Sequence, residues 1–245
     1  MNSVVIERRF AGPPNSGNGG YVSGLLAQAI EGPATVVLRA VIPLETPLNL
    51  DIEGGRVLLT GADGGLIGEA APADPALLPV PPAPPSLAEA EAAGRRNPAL
   101  ERNFHPVCFT CSTERGEGDG LRIFAGQLEG AAEGVLAGVW TPNPAFADAD
   151  GLVRGEYVWA ALDCPGSFAW WVREERHGGL LGTMTGEVIR RPRAGEPYIV
   201  LAWPIEGGEG RKRFSGVALF TPDGELLARG RQVWISFPQP QRAAA

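Results

Sequence analysis

Asp163 is the residue whose type and position most plainly point to chemistry. It lies about two turns into the run Val153-Arg154-Gly155-Glu156-Tyr157-Val158-Trp159-Ala160-Ala161-Leu162-Asp163, which passes from a polar turn into a helix apolar on almost every face. A helix of that kind is buried. An acid goes inside only when it is paired or employed. Held in a pocket, such a carboxylate acts as a general base on water or attacks an electrophilic carbonyl directly. The competing role is structural: an aspartate bonded to main chain at the kink that Pro165 imposes.

Sulfur is the second candidate. Cys108 and Cys111 form a C-x-x-C pair with His105 three residues earlier. A tetrahedral zinc site needs four ligands, and His177 and Cys164 are the other soft groups to supply them. Cys164 sits in the buried helix beside Asp163, with no histidine obviously paired to make it a nucleophile. The pair is therefore expected to be two small buried thiols supporting a loop, with no metal and no cofactor. His177, in Arg176-His177-Gly178-Gly179, reads as a helix C-terminal histidine favoured by the dipole and followed by C-cap glycines, rather than as a catalytic group.

The elements that must position these groups fall into two similar sets. A short strand from Ser3 to Phe10 precedes a helix over Gly19 to Ile30. Strand-like runs follow at Ala34 to Leu44, Leu48 to Glu53, Arg56 to Thr60 and Leu66 to Ala70, separated by turn residues. Seven prolines between Pro72 and Pro85 break the pattern, and a short helix capped by Ser86 is expected after them. Strands near Leu121 to Leu128 and Gly134 to Trp140 then lead into the apolar helix, Gly155 to Trp171. Further strands are predicted at Leu181 to Arg190, Tyr198 to Ile205, Lys212 to Phe220 and Leu226 to Phe237. This divides the chain into 1–71, a Pro/Ala-rich connection at 72–104, a second unit at 105–238 and a tail at 239–245. Each unit has one buried helix and an antiparallel meander, an α+β layout.

The 245 residues carry a net charge of -7, which argues against a nucleic-acid binder. No apolar run reaches the roughly 18 residues of a membrane span, and the three cysteines give no disulfide framework. A cytoplasmic protein without membrane or nucleic-acid partners is the expectation.

Gly17-Asn18-Gly19-Gly20-Tyr21 at the first helix and Arg154-Gly155-Glu156 at the second share one frame. Together with Pro106-Val107-Cys108-Phe109-Thr110-Cys111 and Gly120-Leu121-Arg122-Ile123-Phe124, they resemble the double-hotdog acyl-CoA thioesterase superfamily. The resemblance covers most of the chain outside the connection. It implies two antiparallel sheets, each wrapping a long central helix, and Asp163 at the position of the catalytic acid. Ala27 stands where the first copy would carry its acid, which makes that copy structural. The family's helix-start histidine is Asn18 in one copy and Arg154 in the other.

By the same resemblance, Gln232 in Ala228-Arg229-Gly230-Arg231-Gln232 and a threonine, Thr183 or Thr185, hold the attacking water. Main-chain N–H groups at the second helix start, Gly155, Glu156 and Tyr157, are expected to receive the oxyanion, with Asn18, Gly19 and Gly20 at the first helix start as oxyanion or substrate-binding candidates beside them. Arg190, Arg191 and Arg193 would grip coenzyme A phosphates. The implied function is hydrolysis of an acyl-CoA thioester by Asp-activated water, with edge-to-edge homodimerisation as a further expectation. The alternative is a non-catalytic hotdog protein binding an acyl or aromatic ligand. A hydratase of the same fold fits less well, because neither helix start offers a histidine to pair with the acid.

Overall fold

The structure, a computed structural model, describes residues 2–102, 105–174 and 178–238. Its first half runs β1 (Asn2–Val5), α1 (Gly19–Ala27), β2 (Ala34–Leu38), β3 (Pro47–Glu53), β4 (Arg56–Thr60) and β5 (Leu66–Pro72). Two helices follow, α2 (Leu87–Gly94) and α3 (Pro98–Glu101), then β6 (Gly126–Gln127). The second half repeats the first layout: β7 (Leu136–Trp140), α4 (Gly155–Ala161), α5 (Asp163–Glu174), β8 (Gly179–Val188), β9 (Tyr198–Ile205), β10 (Lys212–Phe220) and β11 (Leu226–Ser236).

All strands join one antiparallel sheet in the order β1-β3-β4-β5-β2-β8-β11-β10-β9-β7-β6. The sequence of elements and the order of pairing are the same in each half, read outward from a central seam. That seam is the β2–β8 pair, with Ala34 opposite Gly186 and Val37 opposite Thr183. The expectation of two separate sheets is thereby corrected: the edge strands of the two units are paired, which satisfies main-chain groups that two free edges would leave exposed.

The α1 and α4 helices lie antiparallel across each other, and glycine permits the approach. A Cβ on Gly24 would meet Glu156 Cα at 2.5 Å, and one on Gly20 would meet Trp159 O at 2.8 Å. One hydrophobic core spans both halves, joining Leu26, Val36 and Leu59 to Val158, Phe168 and Val217.

The long second helix is interrupted earlier than the sequence implies. Proline has no N–H to offer the carbonyl four residues back and its ring collides with it. Pro165 therefore ends α4 at Ala161, and Leu162 turns the chain so that α5 restarts at Asp163, with Pro165 tolerated in its first turn. Asp163 thus stands at a helix N-terminus rather than mid-helix.

The Pro-rich connection is more than a tether. Ser86 and Glu89 form a capping box on α2, whose Ala90 and Ala93 pack on Ala137, Ile199, Leu201 and Phe220 of the second half's sheet. The predicted strand at Leu121 to Leu128 shortens to the two residues of β6. His177 and the tail at 239–245 lie outside the described residues.

Candidate functional site

Asp163 opens into a cavity of about 690 Å³, whose wall includes Gly17, Asn18, Gly19, Phe168, Trp171 and Trp234. The acid is only 4% exposed. Its Oδ2 accepts a hydrogen bond from Asn18 Nδ2 at 2.8 Å, while Oδ1 is buried and accepts none. Burial raises the carboxyl, and the charge of nearby Cys108 raises it further. The Gly20 main-chain N–H and the Asn18 amide oppose the rise, leaving the group pushed up to about 7. A carboxyl near neutrality can both take and release a proton under ordinary conditions.

Asn18 is the junction of the site. As N-cap of α1 its Oδ1 accepts from Tyr21 N–H at 2.9 Å, the usual way to satisfy an orphan donor at a helix start. That fixes its amide nitrogen toward Asp163, Thr110 Oγ1 (3.2 Å) and Cys108 Sγ (3.9 Å). Thr110 in turn donates to Ala160 O at 2.8 Å, so its oxygen is free to accept. Stacking of Phe10 on Tyr21, with ring centroids 4.0 Å apart, buttresses this end of α1 from behind.

The three thiols converge beside the acid. Cys108 and Cys164 Sγ atoms are 3.5 Å apart, and the sulfurs of Cys108, Cys111 and Cys164 all lie within 4.8 Å of one another. Hydrogen bonds from Cys111 and Cys164 push Cys108 well below its ordinary range. The bond to Cys108, with burial, pushes Cys111 up against an opposing bond from Cys164, and bonds to Cys108 and Cys111 push Cys164 up. The C-x-x-C pair is therefore part of a trio rather than a pair.

The other residues singled out in the sequence are placed unevenly. Asn18 and Gly19 line the cavity with Asp163, and Gly20 lies against the acid. Gly155, Glu156 and Tyr157 do not reach it. They start α4, and Asp163 follows about 12 Å along the chain axis at 1.5 Å per residue. Glu156 is instead tied to Arg154 Nε at 3.1 Å and Gln28 Nε2 at 2.6 Å. The helix start that lies next to Asp163 is that of α1, in the opposite half.

Gln232 and the two threonines are absent from the cavity wall. Gln232 is fully buried and spends its Nε2 on the carbonyls of Leu162 (2.8 Å) and Asp163 (3.1 Å), while its Oε1 accepts from Trp234 Nε1 at 2.9 Å. It clamps the helix break instead of facing solvent. Thr185 Oγ1 shares a 2.8 Å hydrogen bond with Thr35 Oγ1 across the seam, and Thr183 pairs with Val37 there.

The arginines are placed elsewhere too. Arg190 is paired with Glu225, Arg191 with Asp148 and Asp150, and Arg193 with the Asp150 carbonyl. They follow β8, whereas the cavity meets that strand at its start, a separation of about 25 Å at 3.3 Å per residue. Arg39 and Arg211 are the arginines that line the cavity, and Arg39 also holds Glu69 at 2.8 Å. Sequence reasoning missed Thr110 and the bridging by Asn18. An asparagine before two glycines signals an N-cap, but its partners 92 and 145 residues away carry no local signal.

No family model matches the chain, and no curated protein matches it. Solved structures do. A tesB protein of Mycobacterium avium subs paratuberculosis is 14% identical, with a TM-score of 0.61 over 96% of this chain and 92% of that one. The acyl-CoA thioesterase II TesB2 of Mycobacterium marinum is 15% identical, with a TM-score of 0.58 over 94% of this chain and 92% of that one. The chain shares the fold of these structures. It spans nearly the whole length of both structures, so the likeness concerns the full two-part layout rather than one half.

Proposed function

We propose that this chain is a double-hotdog acyl-CoA thioesterase-like hydrolase with one working site, formed where α1 of the first half meets the start of α5 in the second. The observation that carries the reading is Asp163, a buried carboxylate on the wall of a large apolar-lined cavity with one oxygen left without a hydrogen-bond partner. Such an oxygen costs about 1–3 kcal/mol unless something fills the position, and unsatisfied buried groups in folded proteins ask for a functional explanation. A water is the occupant that hydrolysis requires.

In this reading the acyl chain lies among Phe168, Trp171 and Trp234. The thioester carbonyl points at the N-terminus of α1, where Gly19 and Gly20 carry no side chain to block approach and the helix dipole favours developing negative charge. Asp163 takes a proton from water as the water attacks the carbonyl carbon. The tetrahedral intermediate collapses by breaking the carbon–sulfur bond, and the leaving thiolate takes up the proton that Asp163 holds, which restores the carboxylate. Asn18 holds Asp163 in orientation through Oδ2. Gln232 is a positioning residue that fixes the main chain of Asp163. Arg211 is the cation in place to meet a coenzyme A phosphate. The paired site has Ala27 where this one has Asp163, its nearby Glu156 is tied to Arg154 and Gln28, and it is silent.

The test is thiol release from a panel of acyl-CoA and simpler acyl thioesters. Turnover of at least one panel member, lost in Asp163→Asn with the far-UV spectrum unchanged, is the expected result. Ligand-dependent thermal stabilisation without turnover on any member would instead make the chain a binding protein.

A further inference from the structure

We propose that Cys108, Cys111 and Cys164 form a three-thiolate site for a zinc ion, with its fourth position presented to the cavity. The thiols belong to segments far apart in the chain, a loop between α3 and β6 and the first turn of α5. Zinc–sulfur bonds of about 2.3 Å at tetrahedral angles put sulfurs about 3.8 Å apart. Here Cys108 and Cys164 are 3.5 Å apart, and no pair in the trio exceeds 4.8 Å. Small side-chain rotations bring all three onto one ion.

The loop is built to hold that arrangement before any ion arrives. Main-chain bonds pin it on both sides: Phe109 N–H to Ala11 O at 2.7 Å, Leu121 N–H to Phe109 O at 2.8 Å and Ile123 N–H to Thr110 O at 2.8 Å. Ser112 Oγ closes it onto Pro106 O at 2.6 Å. The main-chain N–H groups of Thr110 and Cys111 turn toward the Cys108 sulfur, and the Asn18 amide approaches it from across the core. Donors aimed at a sulfur stabilise it as thiolate and orient it, as the outer shell of a metal site does. Cys164 lies in the first turn of a 12-residue helix, a rigid element that fixes its place against the loop.

The ion has a way in, because all three cysteines line the cavity. Three protein ligands with a fourth position open to a cavity is the arrangement of zinc sites that keep an exchangeable ligand, in contrast to closed structural sites. His105, also on the cavity wall, or a solvent molecule completes the tetrahedron. Binding releases to solvent the proton of each thiol that is still neutral. The site does not depend on the thioesterase reading, since metal content is measured without a substrate.

The full-length chain, purified under reducing conditions and equilibrated with zinc and then with cobalt(II), tests this. Expected are about one zinc per chain after dialysis and, on cobalt loading, a thiolate-to-cobalt charge-transfer band with tetrahedral ligand-field absorption. Cys164→Ser weakens zinc about 10-fold or more and reduces the charge-transfer band, with the far-UV spectrum retained. The cobalt spectrum of the unmodified chain keeps the question decidable if a cysteine variant fails to fold. Less than about a tenth of an equivalent of zinc and no thiolate-to-cobalt band would overturn the proposal, as would metal content equal in wild type and a triple Cys108/Cys111/Cys164→Ser chain.

Discussion

Asn18 is the residue on which this site turns, because one short side chain serves three partners in two halves of the molecule. Its oxygen caps α1 and its nitrogen orients Asp163 and meets Thr110. Removing it loses a helix cap, about 1 kcal/mol, and strips Asp163 of its side-chain donor. Asn18→Ala is therefore expected to lower the midpoint of thermal unfolding and to depress kcat more than KM on whichever thioester the chain cleaves. A variant with full kcat would show that Asp163 needs no such partner. Gln232 separates from this behaviour. Gln232→Leu leaves the carbonyls of Leu162 and Asp163 and the indole N–H of Trp234 unpaired in the core, at about 1–3 kcal/mol for each group. Denaturant unfolding should show a loss of several kcal/mol, and a change below about 1 kcal/mol would mean that the clamp is dispensable.

At the scale of elements, the crossing of α1 and α4 does two things through two glycines. Gly24 lets the helices touch at the silent end, where a Cβ would strike Glu156 Cα at 2.5 Å. Gly20 lets them touch at the working end, where a Cβ would strike Asp163 Cβ at 2.6 Å. Alanine is the better helix former by about 1 kcal/mol, yet forced repacking costs about 1–3 kcal/mol, and the second effect should win at both positions. Thermal unfolding of Gly24→Ala and Gly20→Ala should show both destabilised, with Gly20→Ala alone also displacing the acid and losing activity well beyond its stability cost. Equal activity loss in the two would contradict the assignment of the working end.

Much of this was legible in the chain. The strands Arg56 to Thr60, Tyr198 to Ile205 and Lys212 to Phe220 have the bounds that periodicity and turn residues predict. Ser86 marked the start of α2. What could not be read is tertiary: proline's effect falls four residues upstream, which moves Asp163 from mid-helix to a helix start. The start of α1 is brought against Asp163 from the other half, and α2 is drawn onto the sheet, by contacts no local pattern announces.

The described strands form one sheet, and one of its two core clusters runs through both halves across the seam at β2–β8. All six tryptophans fall in the second half, from Trp140 onward, so indole fluorescence reports that half while far-UV dichroism reports both. Coincident midpoints in urea are expected from a shared core. A dichroism transition preceding the fluorescence transition would show the first half unfolding by itself, and would weaken the case for a site assembled across the seam.

The most direct measurement of the central claim compares binding with turnover in Asp163→Asn. The substitution keeps shape and removes the charge, so a non-hydrolysable thioether analogue of the best thioester substrate should bind with a Kd within about threefold of wild type, while kcat/KM falls about 1000-fold, the scale expected for removing a general base. Turnover by the variant within about tenfold of wild type, with the analogue still bound, would mean that Asp163 is not the group that activates water.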